Sequence, residues 1–191
     1  MNTQIMIQST PNPNALKFVL NKPVKTEGNI TYKGKDTADD NPLAKVLFET
    51  DEHIKEVYFF DNYITITQDG SADWDDLEQK IKTLILEKID AHNPDFAITL
   101  PKTESQQANV KNPDIDQIDR ILEQSIRPAL QMDGGDVRVE GYENNTVTIA
   151  YQGACGSCPS ATMGTLYAIE NILKEQFNPD VNVVLADGAG M

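Results

Sequence analysis

The chain has 191 residues, enough for one medium domain or two small ones. It is 39% hydrophobic and 24% charged, ordinary values for a folded soluble chain and not for a disordered one. The formal net charge is −14, with 11 Lys+Arg against 18 Asp+Glu up to Glu104 and 5 against 12 beyond it, so neither part carries the basic footprint that binds nucleic acid or anionic lipid.

No run approaches the ~20 apolar residues of a membrane span. The opening Met1-Asn2-Thr3-Gln4-Ile5-Met6 has neither the basic and apolar regions of a secretory signal nor an Arg-rich transit character. Two cysteines make at most one bridge, which is no disulfide framework. The expectation is a cytoplasmic protein with reduced thiols, where a close cysteine pair points to metal or redox chemistry.

Gln4–Gln8 reads as a short strand, and Thr10-Pro11-Asn12-Pro13-Asn14 as a turn of φ-restricted and turn-forming residues. Ala15–Leu20 reads as a second strand. Asn21–Asp40 mixes Lys, Asp, Gly and Thr without periodicity and is expected to be an exposed excursion. Asn41-Pro42 pairs an N-cap with proline at the first helical position, so a short helix follows through Leu43, Val46 and Leu47. Val57–Phe60 and Tyr63–Thr67 flank Asp61-Asn62, which predicts a hairpin. After Asp73, the spacing of Trp74, Leu77, Ile81, Leu84, Ile85 and Ile89 predicts an amphipathic helix whose stripe is core. Phe96–Thr99 reads as a last strand. A polar linker over 101–112 then separates a first domain, 1–100, from a second, 113–187.

In the second domain Asn112-Pro113 caps a helix with the stripe Ile115, Ile118, Leu122, Ile126 and Ala129. Asp133-Gly134-Gly135-Asp136 ends it, read as a C-cap and turn and not as a metal site. Val137–Tyr142 and Thr146–Tyr151 alternate around Glu143-Asn144-Asn145 and predict a hairpin. Pro159 opens a helix through Leu166, Ile169, Ile172, Leu173 and Phe177, and Val181–Leu185 closes as a strand. The fold class is therefore α+β, two small α+β domains, the second in helix-strand-strand-helix-strand order.

The chemistry is concentrated in Gly153-Ala154-Cys155-Gly156-Ser157-Cys158-Pro159-Ser160. Two residues between thiols let both sulfurs face one point, an arrangement shared by iron–sulfur clusters, zinc and dithiol redox centres. The pair joins a strand end to a helix start, where unpaired N–H groups and the helix dipole favour thiolate. Gly153 and Gly156 free the backbone, and the small residues Ala154, Gly156 and Ser157 leave room for an inorganic core. A thioredoxin-like sheet needs more chain than the one helix and one strand that follow. A [4Fe–4S] cluster takes four thiolates, and one chain supplies two, so the simplest completion is a second copy across a two-fold axis.

Other candidates are weaker. His53 and His92 are distant in sequence, lie at charged helix ends, and are expected to be solvated surface histidines. Ser160 has no base near it in sequence. Neither GxxxxGK[ST] nor GxGxxG occurs, so nucleotide use has no support.

At these residues the chain resembles the Nfu family of NifU-like iron–sulfur scaffold and carrier proteins. The resemblance rests on Ile126-Arg127-Pro128-Ala129, on Asp133-Gly134-Gly135-Asp136-Val137, on Gly153 to Thr162 and on Ile169-Glu170-Asn171-Ile172-Leu173. In the first domain it rests on Thr10 to Phe18, Asn41 to Phe48, and Asp73-Trp74. It implies that Cys155 and Cys158 bind a [4Fe–4S] cluster between two subunits of a homodimer. It implies a non-enzymatic carrier that receives the cluster from an upstream assembly scaffold and passes it to apo iron–sulfur clients. The first domain, which has no cysteine, would then aid recognition of clients or assembly partners. The chain departs from the family over Lys22–Asp40, and it lacks the ferredoxin-like module and cysteine-bearing N-terminal domain of full-length NifU. A thiol-disulfide oxidoreductase and a zinc-bridged interaction protein are the alternatives to be tested.

Overall fold

The computed structural model describes residues 3–96, 112–156 and 159–186, with residues 159–162 described from the backbone alone. The chain divides into two compact units, Met1–Leu100 and Pro101–Met191. No described helix is long and apolar enough to cross a membrane.

Unit 1 is a five-stranded antiparallel sheet with two helices. Its strands are β1 (Ile5–Ser9), β2 (Ala15–Leu20), β3 (Lys25–Lys33), β4 (Ile54–Asp61) and β5 (Tyr63–Gln68), in the order β1-β2-β5-β4-β3. The helices are α1 (Pro42–Thr50) and α2 (Trp74–Lys88). Asn41 caps α1 as expected, its side-chain oxygen accepting from the N–H groups of Leu43 and Ala44. Asp73 caps α2. One face of the sheet, carrying Phe18, Ile30, Tyr32, Val57, Phe59, Ile64 and Ile66, shares a core with Leu43 and Leu47 of α1 and Leu77, Ile81 and Ile85 of α2. Burying each of these aliphatic side chains contributes about 2 kcal/mol. The β4–β5 hairpin turns on Asp61-Asn62, with Asp61 at φ 44°.

The exposed excursion expected over Asn21–Asp40 is instead a sheet strand followed by a single 3-10 turn at Lys35–Thr37. Val24, Ile30, Tyr32 and Ala38 in it are buried. Alternation fails to show in the sequence because β3 breaks register between Lys25 and Asn29, with Gly28 at φ 66°. The strand expected at Phe96–Thr99 and the linker expected over 101–112 lie outside the described residues, apart from Phe96, which is not in a strand, and Asn112.

Unit 2 contains α3 (Pro113–Ser125), α4 (Arg127–Met132), β6 (Gly135–Glu143), β7 (Thr146–Gly153), α5 (Pro159–Gln176) and β8 (Asn182–Leu185). Strands β6 and β7 form the expected hairpin, and Asn144 and Asn145 take the two positive φ values (50° and 58°) of a type I′ turn. Strand β8 lies parallel to β7, with α5 as the crossover. Ile118, Leu122, Val137, Ile149, Ile169 and Leu173 belong to its separate core. The single helix expected from Pro113 to Ala129 is two, broken at Ile126 (φ −113°). Pro128 explains the break: it has no N–H to donate back to the preceding turn, so the helix restarts with the proline in its first turn, where no donor is needed.

Candidate functional site

The cysteine loop leaves the carboxyl end of β7, where Gly153 pairs with Gly135 of β6, and leads into the N-terminus of α5. Gly153 closes β7 at φ 61°, a conformation that L side chains rarely adopt. The Gly156 N–H donates to the Gly153 carbonyl at 3.1 Å, which folds Ala154-Cys155-Gly156 into a turn. The Ala154 N–H donates to the Gly134 carbonyl at 3.1 Å, tying the loop to the end of α4.

Cys155 is partly buried and lies against Gly135. A Cβ on Gly135 would stand 2.5 Å from the Cys155 sulfur, 2.7 Å from the Gln152 carbonyl oxygen and 2.9 Å from the Cys155 nitrogen. Gly135 pairs with Gly153 across the hairpin, and the sulfur takes the space that a Cβ at Gly135 would fill. Tyr151 lies two residues below the loop. Burial pushes its phenol up from the ordinary value, the neighbouring Cys155 sulfur adds to this, and a hydrogen bond with Thr165 of α5 opposes it. Cys158 and Ser157 lie outside the described residues, as does the side chain of Ser160.

Asp133-Gly134-Gly135-Asp136 divides in two. Asp133 and Gly134 (φ 82°) form the expected helix end, while Gly135 and Asp136 are already strand residues. Asp136 is buried, and burial pushes its carboxyl upward. Its own carboxylate accepts from the Val137 N–H and from the Gln131 side chain. Arg127 stands 3.5 Å from it and also reaches Asp119 at 2.6 Å, Glu123 at 2.8 Å and the Val137 carbonyl at 3.1 Å. Burial pulls the guanidinium down, but the three carboxylates outweigh it and hold it charged. Arg127 thereby joins α3 to the strand that carries Gly135. From the sequence Arg127 is a motif residue without a role, and Gly135 is part of a helix C-cap and turn. The Gly-Gly pair before a strand was the available signal, since one glycine suffices for a helix end.

Both histidines belong to unit 1. The His53 Nδ1 lies 3.2 Å from an Asp69 carboxylate oxygen. His92 is not the solvated residue expected: it stacks on Phe59 at 5.7 Å, meets Phe96 edge-on at 5.4 Å, and its Nε2 lies 2.8 Å from the Val24 carbonyl. Burial lowers its pKa.

Between Arg138 and Lys174 the sequence has no Lys or Arg. The loop and the first turns of α5 therefore supply no basic side chain of their own, and what they offer an anion is backbone N–H groups and the α5 dipole.

Two family models match the chain. Residues 5–92 match the N-terminal domain of the scaffold protein Nfu/NifU, and residues 118–184 match the NifU-like domain. A relative in Drosophila ananassae, "NFU1 iron-sulfur cluster scaffold homolog, mitochondrial", is 32% identical over 96% of this chain and 64% of its own length. The human protein of the same name is 35% identical over 89% of this chain and 66% of its own length. The chain thus spans about two thirds of the length of these relatives. A NifU-like protein of Saccharomyces cerevisiae, solved in solution, aligns with a TM-score of 0.44 at 24% identity, covering 52% of this chain and 86% of that one. With both domain types present in order over most of its length, the chain belongs to the Nfu family of NifU-like proteins.

Proposed function

We propose that the chain is an iron–sulfur cluster scaffold and carrier, in which Cys155 and Cys158 of two copies hold one [4Fe–4S] cluster that is later handed to apoproteins. The observation that carries this reading is the placement of Cys155: a thiol at the carboxyl end of a strand and the start of a helix, on a loop cleared by Gly135. The relatives are named iron–sulfur cluster scaffold homologs, in agreement. The chain has two cysteines, half of the four thiolates such a cluster takes, and a second copy completes the set.

The cluster is cargo. Held by four thiolates it is anionic, and the loop itself meets it with amide N–H groups and a helix dipole, a modest attraction that suits release. Transfer is ligand exchange without net redox change. A client thiolate forms a new Fe–S bond, the bond to Cys155 or Cys158 breaks, and the released thiolate takes up the proton that the client thiol lost. The upstream donor is an assembly scaffold. The first unit, which has no cysteine, serves recognition of clients or assembly partners. A reducing compartment, the cytoplasm in the first instance, belongs to the same reading, because the thiols must stay unoxidised.

Anaerobic reconstitution followed by iron and acid-labile sulfide analysis tests this. The loaded chain should transfer both to an apo-[4Fe–4S] enzyme and restore its activity. A chain that purified colourless with zinc, or that reduced a model disulfide without metal, would overturn it.

A further inference from the structure

Among the described residues the exposed large apolar side chains are Met6, Leu86, Met132, Met163 and Tyr167. Three of them bracket the cysteine loop in unit 2. Met132, 78% exposed, ends α4 two residues before Gly134, whose carbonyl holds the loop. Met163 and Tyr167, 55% and 59% exposed, stand four apart on the first turns of α5. At about 1.5 Å per residue, Met163 is only ~6 Å along the helix from its start at Pro159. Gly164, Ala168 and Asn171 complete the same outer face, opposite the buried Ile169 and Leu173.

Two features of this face have no explanation within one chain. The first is Gly164. A glycine inside a helix destabilises it relative to alanine. A Cβ at Gly164 would meet nothing within 4 Å, so the fold of the subunit does not require its small size. Close approach from outside does. The second is the charge pattern. From Asn144 to Ile169 the sequence has no charged residue, in a chain of net charge −14. Glu170, the first charge after that stretch, is held by Lys174 at 2.6 Å and accepts the Val183 N–H of β8 at 3.2 Å.

We propose that this outer face of α5 receives a second copy of the chain when the two copies share the cluster. The inference rests on the cluster-bridged reading above and adds the surface through which it is achieved. Two strongly acidic chains repel, and they can approach closely only where charge is absent. A two-fold axis sets each face against its own copy, so the face must be self-complementary. An uncharged apolar face meets that condition, and an acidic one does not. The face also runs directly on from Cys158-Pro159, where the second pair of thiolates has to arrive. Five residues a side, Met163, Gly164, Tyr167, Ala168 and Asn171, are far below the roughly 20–30 of a stable interface. Pairing therefore depends on the cluster, and the copies part when it leaves.

The test uses the full chain with Tyr167→Glu and, separately, Gly164→Gln. Tyr167 is exposed and a Cβ at Gly164 meets nothing within 4 Å, so circular dichroism should show an unchanged fold, with Gly164→Gln melting no lower than the parent. After anaerobic reconstitution, native mass spectrometry should show the loaded dimer reduced at least about tenfold in Tyr167→Glu, which sets like charges across the axis. Cluster loss to an added iron chelator should accelerate to match in both variants. Variants that form as much loaded dimer as the parent, with equal cluster lifetimes, would overturn the docking face and leave the cluster reading intact. A parent chain that takes up no iron and sulfide, or holds a full cluster as a monomer, would overturn the reading and this inference with it.

Discussion

Gly135 and Cys155 stand closer than any side chain at position 135 would permit: a Cβ there would lie 2.5 Å from the Cys155 sulfur and 2.7 Å from the Gln152 carbonyl oxygen. The second contact is with backbone, which cannot swing aside as the thiol can. Gly135→Ala is therefore expected to push the whole loop outward. Overpacking of this kind destabilises by about 1–3 kcal/mol. Thermal unfolding of unit 2 should move down accordingly, and the reconstituted variant should lose its cluster faster than the parent. An unchanged melting point with an unchanged cluster lifetime would show that the loop gives way freely.

Arg127 is the strut behind that contact. Removing its charge takes the Arg127 guanidinium away from the buried Asp136 carboxylate. Arg127→Met should destabilise the unit by roughly 3 kcal/mol, the usual consequence of breaking a buried pair from one side. The double variant Arg127→Met/Asp136→Asn should recover much of this, because the amide needs no counter-ion. Denaturant unfolding of the three proteins measures the coupling. Simple additivity would mean that the two residues do not act as a pair.

His92 supplies a pH test for unit 1. Burial between Phe59 and Phe96 lowers its pKa below the ordinary 6.5, the Val24 carbonyl opposes this, and Lys22 and Lys25 add to the lowering. The folded chain thus holds the neutral ring at a pH where the unfolded chain has taken up a proton. Stability is complete above the ordinary value and falls as the pH drops through it toward the folded value. An NMR titration should place the His92 midpoint below 6.5. Between about pH 7.5 and about pH 5.5 the parent should lose more stability than His92→Gln. A midpoint at or above the ordinary value would contradict the packing described.

These residues also show what was legible in the sequence. The capped helices at Asn41-Pro42, Asp73 and Asn112-Pro113 were readable because a side-chain cap and a 3.6-residue stripe are local signals. The two hairpins were readable for the same reason, since turn and alternation lie side by side. Strand β3 was hidden by the register break at Gly28, which puts alternation out of phase, and its pairing with β4 is long-range. The break at Ile126 could have been found from Pro128, but the apolar stripe runs across it and argues for one helix. The cysteine pair was visible as a motif. Its dependence on Gly135 was not, because that contact joins two strand ends across a hairpin whose exact register the sequence does not state. His92 was misplaced because its aromatic neighbours come from β4 and from beyond α2.

The central claim is that Cys155 and Cys158 of two chains together hold one cluster. Native mass spectrometry of the anaerobically reconstituted chain, alongside Cys155→Ala and Cys158→Ala, tests it most directly. The parent should run as a dimer with one [4Fe–4S] cluster, and each variant should remain folded by circular dichroism while carrying none. A parent monomer with a complete cluster, or a normal cluster in either variant, would contradict the claim.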